Sequence, residues 1–448
     1  MHTSAVRIPT ASWGAQAWDL QRAEDTSRSS ECIPTERCSQ DGFSTRSVLE
    51  QPRRDEGTPW EDASHTPAEK LVSTRAACEE FIKNHKVSEA MMALVRCVAL
   101  SRLVYGDGHW RLAESLANVA HGYLQLRGLP AQTRQHAETA RDILLSATQL
   151  PELEEEKIAM LQTLLTTYYS IGVAHLMQKN LTEAFQNLQK AEKIYGEYHH
   201  VGNVQVQKVS EKDLAQALGR VAMLQRKPAS AMGHFQRAAS SVSNSQGPDS
   251  PELIGIYQEM AQAERLRARH EEAIEYLLQA HSIAEAQLKD SVETAQAALL
   301  LANAYAAAGK AKFNEPAEQY FKKSINTYGN VRGADSPQTL LAVDGYASWL
   351  IQTGRQQQSL DLLQSTLKSR QEAFSDYSDS VADALSLMSN LTLAGGEVKK
   401  AYQLLKKCLE IQTVLYGSQH KKSRQTLQLL DMLNKSPAVS TNSRAMNH

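Results

Sequence analysis

The sequence predicts an all-α protein, a right-handed superhelical solenoid of about eight helix-turn-helix repeats that ends in a C-terminal capping helix. Three observations lead to this prediction. Small and large residues recur on one helix face at intervals of 42 to 47 residues, and glycines recur at one fixed point of several repeats. Long stretches between them are rich in Ala, Leu and Gln, which favours helix.

The first observation concerns the second helix of each repeat. A small residue, here called the anchor, is followed after four residues by a large apolar residue and after seven by a small one, which places all three on one helix face. Arg141 and Leu144 break this pattern in the second repeat. Small side chains let a neighbouring helix approach closely, so each anchor helix is expected to pack against a partner. The anchors are Ala90, Ala137, Ala184, Ala231, Ala273, Ala317, Ser359 and Ala401.

The second observation marks the boundaries between repeats. Tyr105 and Tyr416 lie fifteen residues after their anchors, a glycine follows each, and His109 and His420 come three residues later. Because glycine commonly ends helices, we expect one helix to stop here and the next to begin. The two histidines are expected to cap helices or lie in loops. The glycines at this point are Gly106, Gly247, Gly333 and Gly417.

The first helices of the pairs have patterns of their own, such as LAQALGRVAML at 214–224 and GYASWLIQTG at 345–354. GLPAQTRQ at 128–135 predicts an enlarged turn in the second repeat. SRQTLQLLDML at 423–433 predicts the capping helix, which an array needs because its last repeat otherwise exposes an apolar face.

The ends of the chain differ from its middle, and we expect disordered tails at 1–65 and 435–448 around a solenoid at 66–434. The first 65 residues are rich in Ser, Thr, Glu, Arg and Pro and show no sustained apolar period. RIPTASWGAQAWDL at 7–20 is either a docking motif or a spacer. Thr66, Pro67 and Glu69 form the pattern of a capping box at the start of the first helix.

Composition narrows the functional classes. Apolar residues make up 42% of the 448 residues, enough for a buried core, and the net charge of −2 gives no global attraction to nucleic acid or anionic membranes. The longest apolar run, at 297–309, is too short to span a bilayer. Five scattered cysteines without a CxxC pair fit a reducing compartment. We therefore expect an intracellular protein.

No catalytic or cofactor signature emerges from the sequence. RHEEAIEYL at 269–277 has Ile274 where a zinc-binding HExxH helix needs its second histidine. The Gly309-Lys310 pair has neither the earlier glycine nor the following Ser or Thr of a phosphate loop. We expect no enzyme activity, no metal and no cofactor.

The anchor pattern resembles that of tetratricopeptide repeats, most clearly in GRVAMLQRKPASAMGHFQRAA at 219–239. The 42-residue period with its Tyr-Gly boundary is similar to the long repeats of kinesin light chains. LVRCVALSRLVYGDGHW at 94–110 and KKCLEIQTVLYGSQHK at 406–421 resemble the tetratricopeptide repeat protein 23 family, and VSEKDLAQALGR at 209–220 resembles its 23-like branch. The likeness covers residues 66–434.

This resemblance implies a non-catalytic scaffold or adaptor that binds protein partners, located in the cytoplasm at the centrosome or cilium base and linked to ciliary Hedgehog signalling. Two alternatives stay open. A motor cargo adaptor like kinesin light chain usually carries an N-terminal coiled coil, and residues 1–65 show no heptads. A self-associating structural array is the other.

The partner is expected to lie along the inward face of the first helices. Counting back from the anchors places a row of polar residues there, and amide side chains both donate and accept hydrogen bonds, which suits the backbone of an extended peptide. The predicted groove residues are Arg220, Gln258, Gln262, Arg265, Asn303, Asp344, Ser348 and Asn390.

Overall fold

A computed structural model describes residues 66–146, 151, 153–201 and 208–435. Within these residues the chain forms 17 α-helices and no strand, which confirms the all-α prediction. In chain order they make up eight successive pairs and one last helix, as predicted. The predicted tails, with Trp13, Trp18 and Trp60, lie outside the described residues, apart from Lys435.

The helices fall into two compact units, which meet in sequence between Arg226 and Lys227. In unit 1, each helix packs against the next along the chain, and the first helices α3 and α5 also touch. Its helices are α1 (Pro67–Lys83), α2 (Val87–Tyr105), α3 (Trp110–Gly122), α4 (Pro130–Ser146), α5 (Glu154–Met177), α6 (Leu181–Val201) and α7 (Glu211–Leu224).

Unit 2 repeats the same arrangement with shorter connections. A single 3₁₀ turn, Ala311–Phe313, precedes α12. Its helices are α8 (Pro228–Gln246), α9 (Glu252–Leu266), α10 (His270–Leu288), α11 (Val292–Ala308), α12 (Asn314–Arg332), α13 (Pro337–Gln352), α14 (Gln356–Phe374), α15 (Asp379–Ala394), α16 (Val398–Tyr416) and α17 (Lys421–Asn434).

The anchors lie buried between packed helices. Seven of the eight are 0% exposed and Ala273 is 2% exposed, which confirms the pattern. The large residue four positions later fills the space beside the anchor, as Phe235 and Phe321 do at 1% and 0% exposure. Burying such a side chain contributes roughly 1.5–3 kcal/mol, so each copy of the pattern stabilises the core.

The Tyr-Gly-His boundary folds in the same way in both units. Gly106 and Gly417 each have φ of +86°, a conformation that side chains other than glycine rarely adopt. His109 caps α3, since its Nδ1 accepts a hydrogen bond from the backbone of Arg111 at 3.1 Å, and its ring stacks on Tyr105 at 5.1 Å.

His420 caps α17 equivalently, with its Nδ1 3.3 Å from the backbone nitrogen of Lys422 and its ring 4.7 Å from that of Tyr416. In both boundaries a cation two residues after the histidine lies over the tyrosine ring. The Tyr-Gly-His pattern therefore ends one helix, starts the next and supplies a contact between them.

The structure of the second repeat contradicts the predicted enlarged turn at 128–135. Instead of an enlarged turn, α3 continues through a π-helical turn at Tyr123–Arg127, and α4 begins at Pro130 after Gly128 at φ +61°. The anchor Ala137 lies seven residues after the start of α4, whereas Ala90 and Ala401 lie three residues after the start of their helices, so four extra residues lengthen α4. At the start of α1, the Thr66–Glu69 capping box forms with both of its hydrogen bonds, at 2.8 and 3.3 Å.

Candidate functional site

Five of the eight predicted groove residues occupy one equivalent position on successive first helices. Each lies directly after a small buried residue, as Gln262 follows Ala261 at 3% exposure and Asn303 follows Ala302 at 0%. Ser359 shows how these small residues are held, because its hydroxyl donates to the carbonyl of Ala347 at 3.0 Å. The members of the row are Arg220, Gln262, Asn303, Ser348 and Asn390.

Unit 2 contains four of these five residues, and Arg220 belongs to unit 1. Gln262 and Asn303 are partly buried, whereas Ser348 and Asn390 are exposed. Asn303 lies between two first helices, since a Cβ atom on Gly345 of α13 would be 3.5 Å from its Oδ1. Such a distance is an ordinary van der Waals contact, so the Asn303 amide lies against α13 without requiring a glycine there.

Gln258, Gln262 and Arg265 share one face of α9 through their spacing of four and three residues. All three are partly buried, and burial lowers the pKa of Arg265 from its ordinary value. These side chains place two amides and a guanidinium beside one another, a combination that can donate to carbonyl oxygens.

Asp344 has a partner that the sequence did not predict. Its carboxylate accepts two hydrogen bonds from the guanidinium of Arg370, one at 3.1 Å, and the same guanidinium donates to Ser380 at 3.2 Å. The side chain of Arg370 is 1% exposed and that of Asp344 is 44% exposed. Asp344 therefore joins α13 to α14, and α15 is joined through Ser380. Ser348 donates its hydroxyl to the Asp344 carbonyl at 2.8 Å.

The repeat pattern could have identified Arg370 as a buried charge that needs a partner. It lies eleven residues after its anchor, a position that is buried in every other repeat of unit 2. A charged residue at a core position requires a partner of opposite charge nearby. The equivalent residues are Val242, Ala284, Tyr328 and Gln412.

The row leads toward an open cleft at the end of unit 2. Ser386 lies one turn before Asn390 on α15 and lines a cleft of about 440 Å³ that α17 helps to form. Leu429 and Met432 supply apolar surface there, at 36% and 60% exposure. The capping helix thus also lines an open cleft, which its assignment as a cap did not predict.

In unit 1, a hydrogen bond of Lys208 was also not predicted from the sequence. Lys208 Nζ donates to Asn118 Oδ1 on α3 at 2.5 Å, across 90 residues of sequence. A single lysine before a helix has no periodic signal by which it could be found.

The described residues hold little that fits covalent or metal chemistry. Burial raises the pKa of Cys78 and of Cys408 to about 11, so both stay thiols at neutral pH and are poor nucleophiles. Across the described ranges, no three His, Cys, Asp or Glu side chains are grouped so that they could hold a metal ion. Nor does any helix in them have the length and apolar character needed to cross a membrane.

Comparison with known proteins agrees with this architecture. The model of a tetratricopeptide repeat family matches residues 213–286. Mouse (Mus musculus) tetratricopeptide repeat protein 23-like is 40% identical over 83% of this chain and 81% of its own length. Human (Homo sapiens) tetratricopeptide repeat protein 23 is 35% identical over 84% and 85%.

One solved structure, the apo form of RapI, resembles the fold. It covers 81% of this chain and 97% of its own length with a TM-score of 0.53. At 10% sequence identity, the likeness concerns the fold alone.

Proposed function

Because the chain belongs to the tetratricopeptide repeat protein 23 family, we propose that it is a non-catalytic adaptor that holds an extended segment of a partner protein along unit 2. The observation that supports this most is the equivalent placement of Gln262, Asn303 and Asn390 on α9, α11 and α15. Each amide offers a donor and an acceptor, the pair that a peptide backbone needs.

Contacts in this groove are spread over several helices, so each one contributes little. Loss of a typical hydrogen bond costs about 0.5–1.5 kcal/mol, and three lost together weaken binding by roughly 10- to 1,000-fold. Asp344 is a poor choice for testing the groove because it also neutralises Arg370.

The test compares two triple variants by proximity labelling in ciliated cells. The groove variant carries Gln262→Ala, Asn303→Ala and Asn390→Ala. The control carries Gln279→Ala, Asn326→Ala and Gln364→Ala, three exposed amides on the second helices α10, α12 and α14. We expect specific neighbours to disappear for the groove variant and persist for the control. Equal labelling by both variants would show that the partner binds elsewhere.

We place this adaptor in the cytoplasm at the centrosome or the base of the cilium, where it supports ciliary Hedgehog signalling. The resemblance of the Tyr-Gly-His boundaries and anchor helices to the tetratricopeptide repeat protein 23 family supports this location. A fluorescently tagged chain should overlap a centrosomal marker in ciliated cells. A uniform cytoplasmic signal would contradict this location.

A further inference from the structure

One face of α2 in unit 1 is apolar although it is exposed. Met92, Val95, Ala99 and Leu103 follow one another at spacings of three and four residues, which places them in one row along the helix. Met92 is 66% exposed, Val95 50% and Leu103 74%, and Ala99 is exposed as well. The buried anchor Ala90 lies on the opposite side of the helix. The core therefore does not account for these four residues, here called the α2 stripe.

The other second helices do not share this feature. The first three stripe residues lie two, five and nine positions after their anchor, where α16 has Gln403, Lys406 and Glu410. The remaining second helices carry polar or charged residues at these positions, apart from Gly233 and Leu278. A surface that is polar in the other repeats and apolar in one indicates a contact that only α2 makes.

The end of the array does not explain this exposure. A second helix packs against the first helix of its own pair and against the first helix of the next pair. Both are present for α2, which packs against α1 and α3. The α2 stripe is therefore the outward face of a helix whose neighbours in the array are in place.

The size of the α2 stripe favours an occupant that is tethered to it. From its first to its last residue the helix rises about 16 Å, and with a helix about 10 Å wide the stripe offers roughly 160 Å². A stable contact between separate proteins needs about 800 Å² from each partner. A segment of the same chain needs less area, because the linker sets its effective concentration. These areas favour a segment of the same chain over a second copy.

The sequence before α1 contains a segment with the matching chemistry. RIPTASWGAQAWDL at 7–20 carries Trp13, Trp18 and Leu20 and has no net charge. Tryptophan buries a large apolar area and is common among the residues that dominate binding. Residues 21–65 join this segment to α1. An extended chain of that length spans up to about 150 Å, against about 28 Å for α2, so the segment can reach the whole stripe.

We infer that residues 7–20 bind the α2 stripe of the same chain, with Trp13 and Trp18 packed on its apolar side chains. This role goes beyond the proposed function and does not depend on it, because the stripe lies on a second helix of unit 1 and the groove on first helices of unit 2. The apolar face is thereby covered without a partner protein. RIPTASWGAQAWDL then acts as a docking motif and not as a spacer.

The test places the photoreactive residue p-benzoylphenylalanine in the full chain in place of Trp18. Equal amounts of isotope-labelled and unlabelled chain are mixed and irradiated, and mass spectrometry identifies the crosslinked peptides. We expect crosslinks from position 18 to residues 92–103, with both ends from the same chain. The same probe in place of Phe43, an aromatic residue outside the segment, should label the stripe at least tenfold less.

A variant built from the protein's own repeats tests the stripe itself. Met92→Gln, Val95→Lys and Ala99→Glu give α2 the residues that α16 has at the same positions, so the helix should still form. Crosslinks from position 18 to α2 should fall at least tenfold. Gln186→Ala with Gln189→Ala, at the same positions of α6, should leave them unchanged. If circular dichroism shows that the triple variant is unfolded, Val95→Lys alone should lower the crosslinks in the same direction.

Crosslinks that join isotope-labelled to unlabelled chains would show that a second copy, and not the tethered segment, covers the stripe. No crosslinks from position 18 to α2, or equally strong labelling by the probe at position 43, would show that residues 7–20 do not bind there. The amide variants of unit 2 leave the α2 stripe intact, so this docking and the proposed groove are tested separately.

Discussion

At the scale of single residues, Arg370 has the strongest dependence on a partner. Its side chain is 1% exposed, its Nε has no hydrogen-bond partner, and its two terminal nitrogens are bound by Asp344 and Ser380. A buried charge that loses its partner costs far more than the pair contributes when intact. Counting back from the anchors gives the position of Asp344 but not its partner Arg370.

Asp344→Ala should therefore lower the free energy of unfolding by about 2–4 kcal/mol, a range that allows for the partial exposure of Asp344. The double variant Asp344→Ala/Arg370→Met should be less destabilised than the single one, because the unpaired charge is gone. Urea denaturation measures both, with Ser348→Ala on the same helix as the control. A double variant as unstable as the sum of two single losses would contradict this account.

His121 is a histidine on α3 in unit 1 whose ring lies 6.3 Å from that of Tyr169. Its Nδ1 is buried without a partner, and burial, followed by the charge of Lys208, lowers the pKa of the ring from 6.5 to about 4. The unfolded chain thus takes up a proton below pH 6.5, whereas the folded chain does so only near pH 4. Stability is complete above the higher value and is lost as the pH falls between the two.

We expect acidification from pH 6.5 to 4 to remove roughly 1–3 kcal/mol of stability through this group. His121→Phe should flatten that part of the curve, measured as the urea midpoint at several pH values. An unchanged slope in the variant would assign the loss to other groups.

At the scale of helices, the boundaries depend on backbone conformation more than on packing. An added Cβ at Gly417 would meet no atom within 4 Å, so the requirement for glycine comes from its φ of +86°. Gly233 has equal space around it but lies within α8, where glycine lowers helix stability.

The same substitution should consequently have opposite effects at these two positions. Gly417→Ala should destabilise unit 2 by about 1 kcal/mol, whereas Gly233→Ala should stabilise it by up to about 1 kcal/mol. Urea midpoints of the two variants provide the comparison. If both substitutions changed the stability in the same direction, φ at Gly417 would not be what fixes the end of α16.

At the scale of the whole molecule, stability in a repeat protein is a sum of local contacts between neighbouring helices. Phe321 illustrates this, since it is 0% exposed and its ring lies 5.6 Å from Tyr346 and 5.9 Å from Trp349 on α13. Its contacts lie within unit 2.

Phe321→Ala should cost about 3–5 kcal/mol through the cavity it leaves. Hydrogen exchange should show lost protection in α11, α12 and α13, while α1 to α4 in unit 1 keep theirs. Phe374→Ala, a half-buried residue near the end of α14, serves as the milder control. Equal loss in both units would show that the chain unfolds as one cooperative body.

The sequence by itself determined the helix pairs, the anchors and the boundaries. These features follow from local rules, namely helix propensity, the 3.6-residue period and the conformational freedom of glycine, and eight copies reinforced each signal. It also placed Gln262, Asn303 and Asn390 at one equivalent position. Whether a partner binds there stays a prediction.

Only the tertiary structure decided the roles of the charged residues. Arg370 and Asp344 are 26 residues apart and Lys208 and Asn118 are 90 apart. The repeat pattern places Arg370 at a core position but does not identify its partner, and it contains no signal for Lys208. The division into two units, the π-helical turn after α3 and the cleft beside α17 have the same origin. Each depends on which surfaces meet once the helices have packed, and local propensity has no information about such distant contacts.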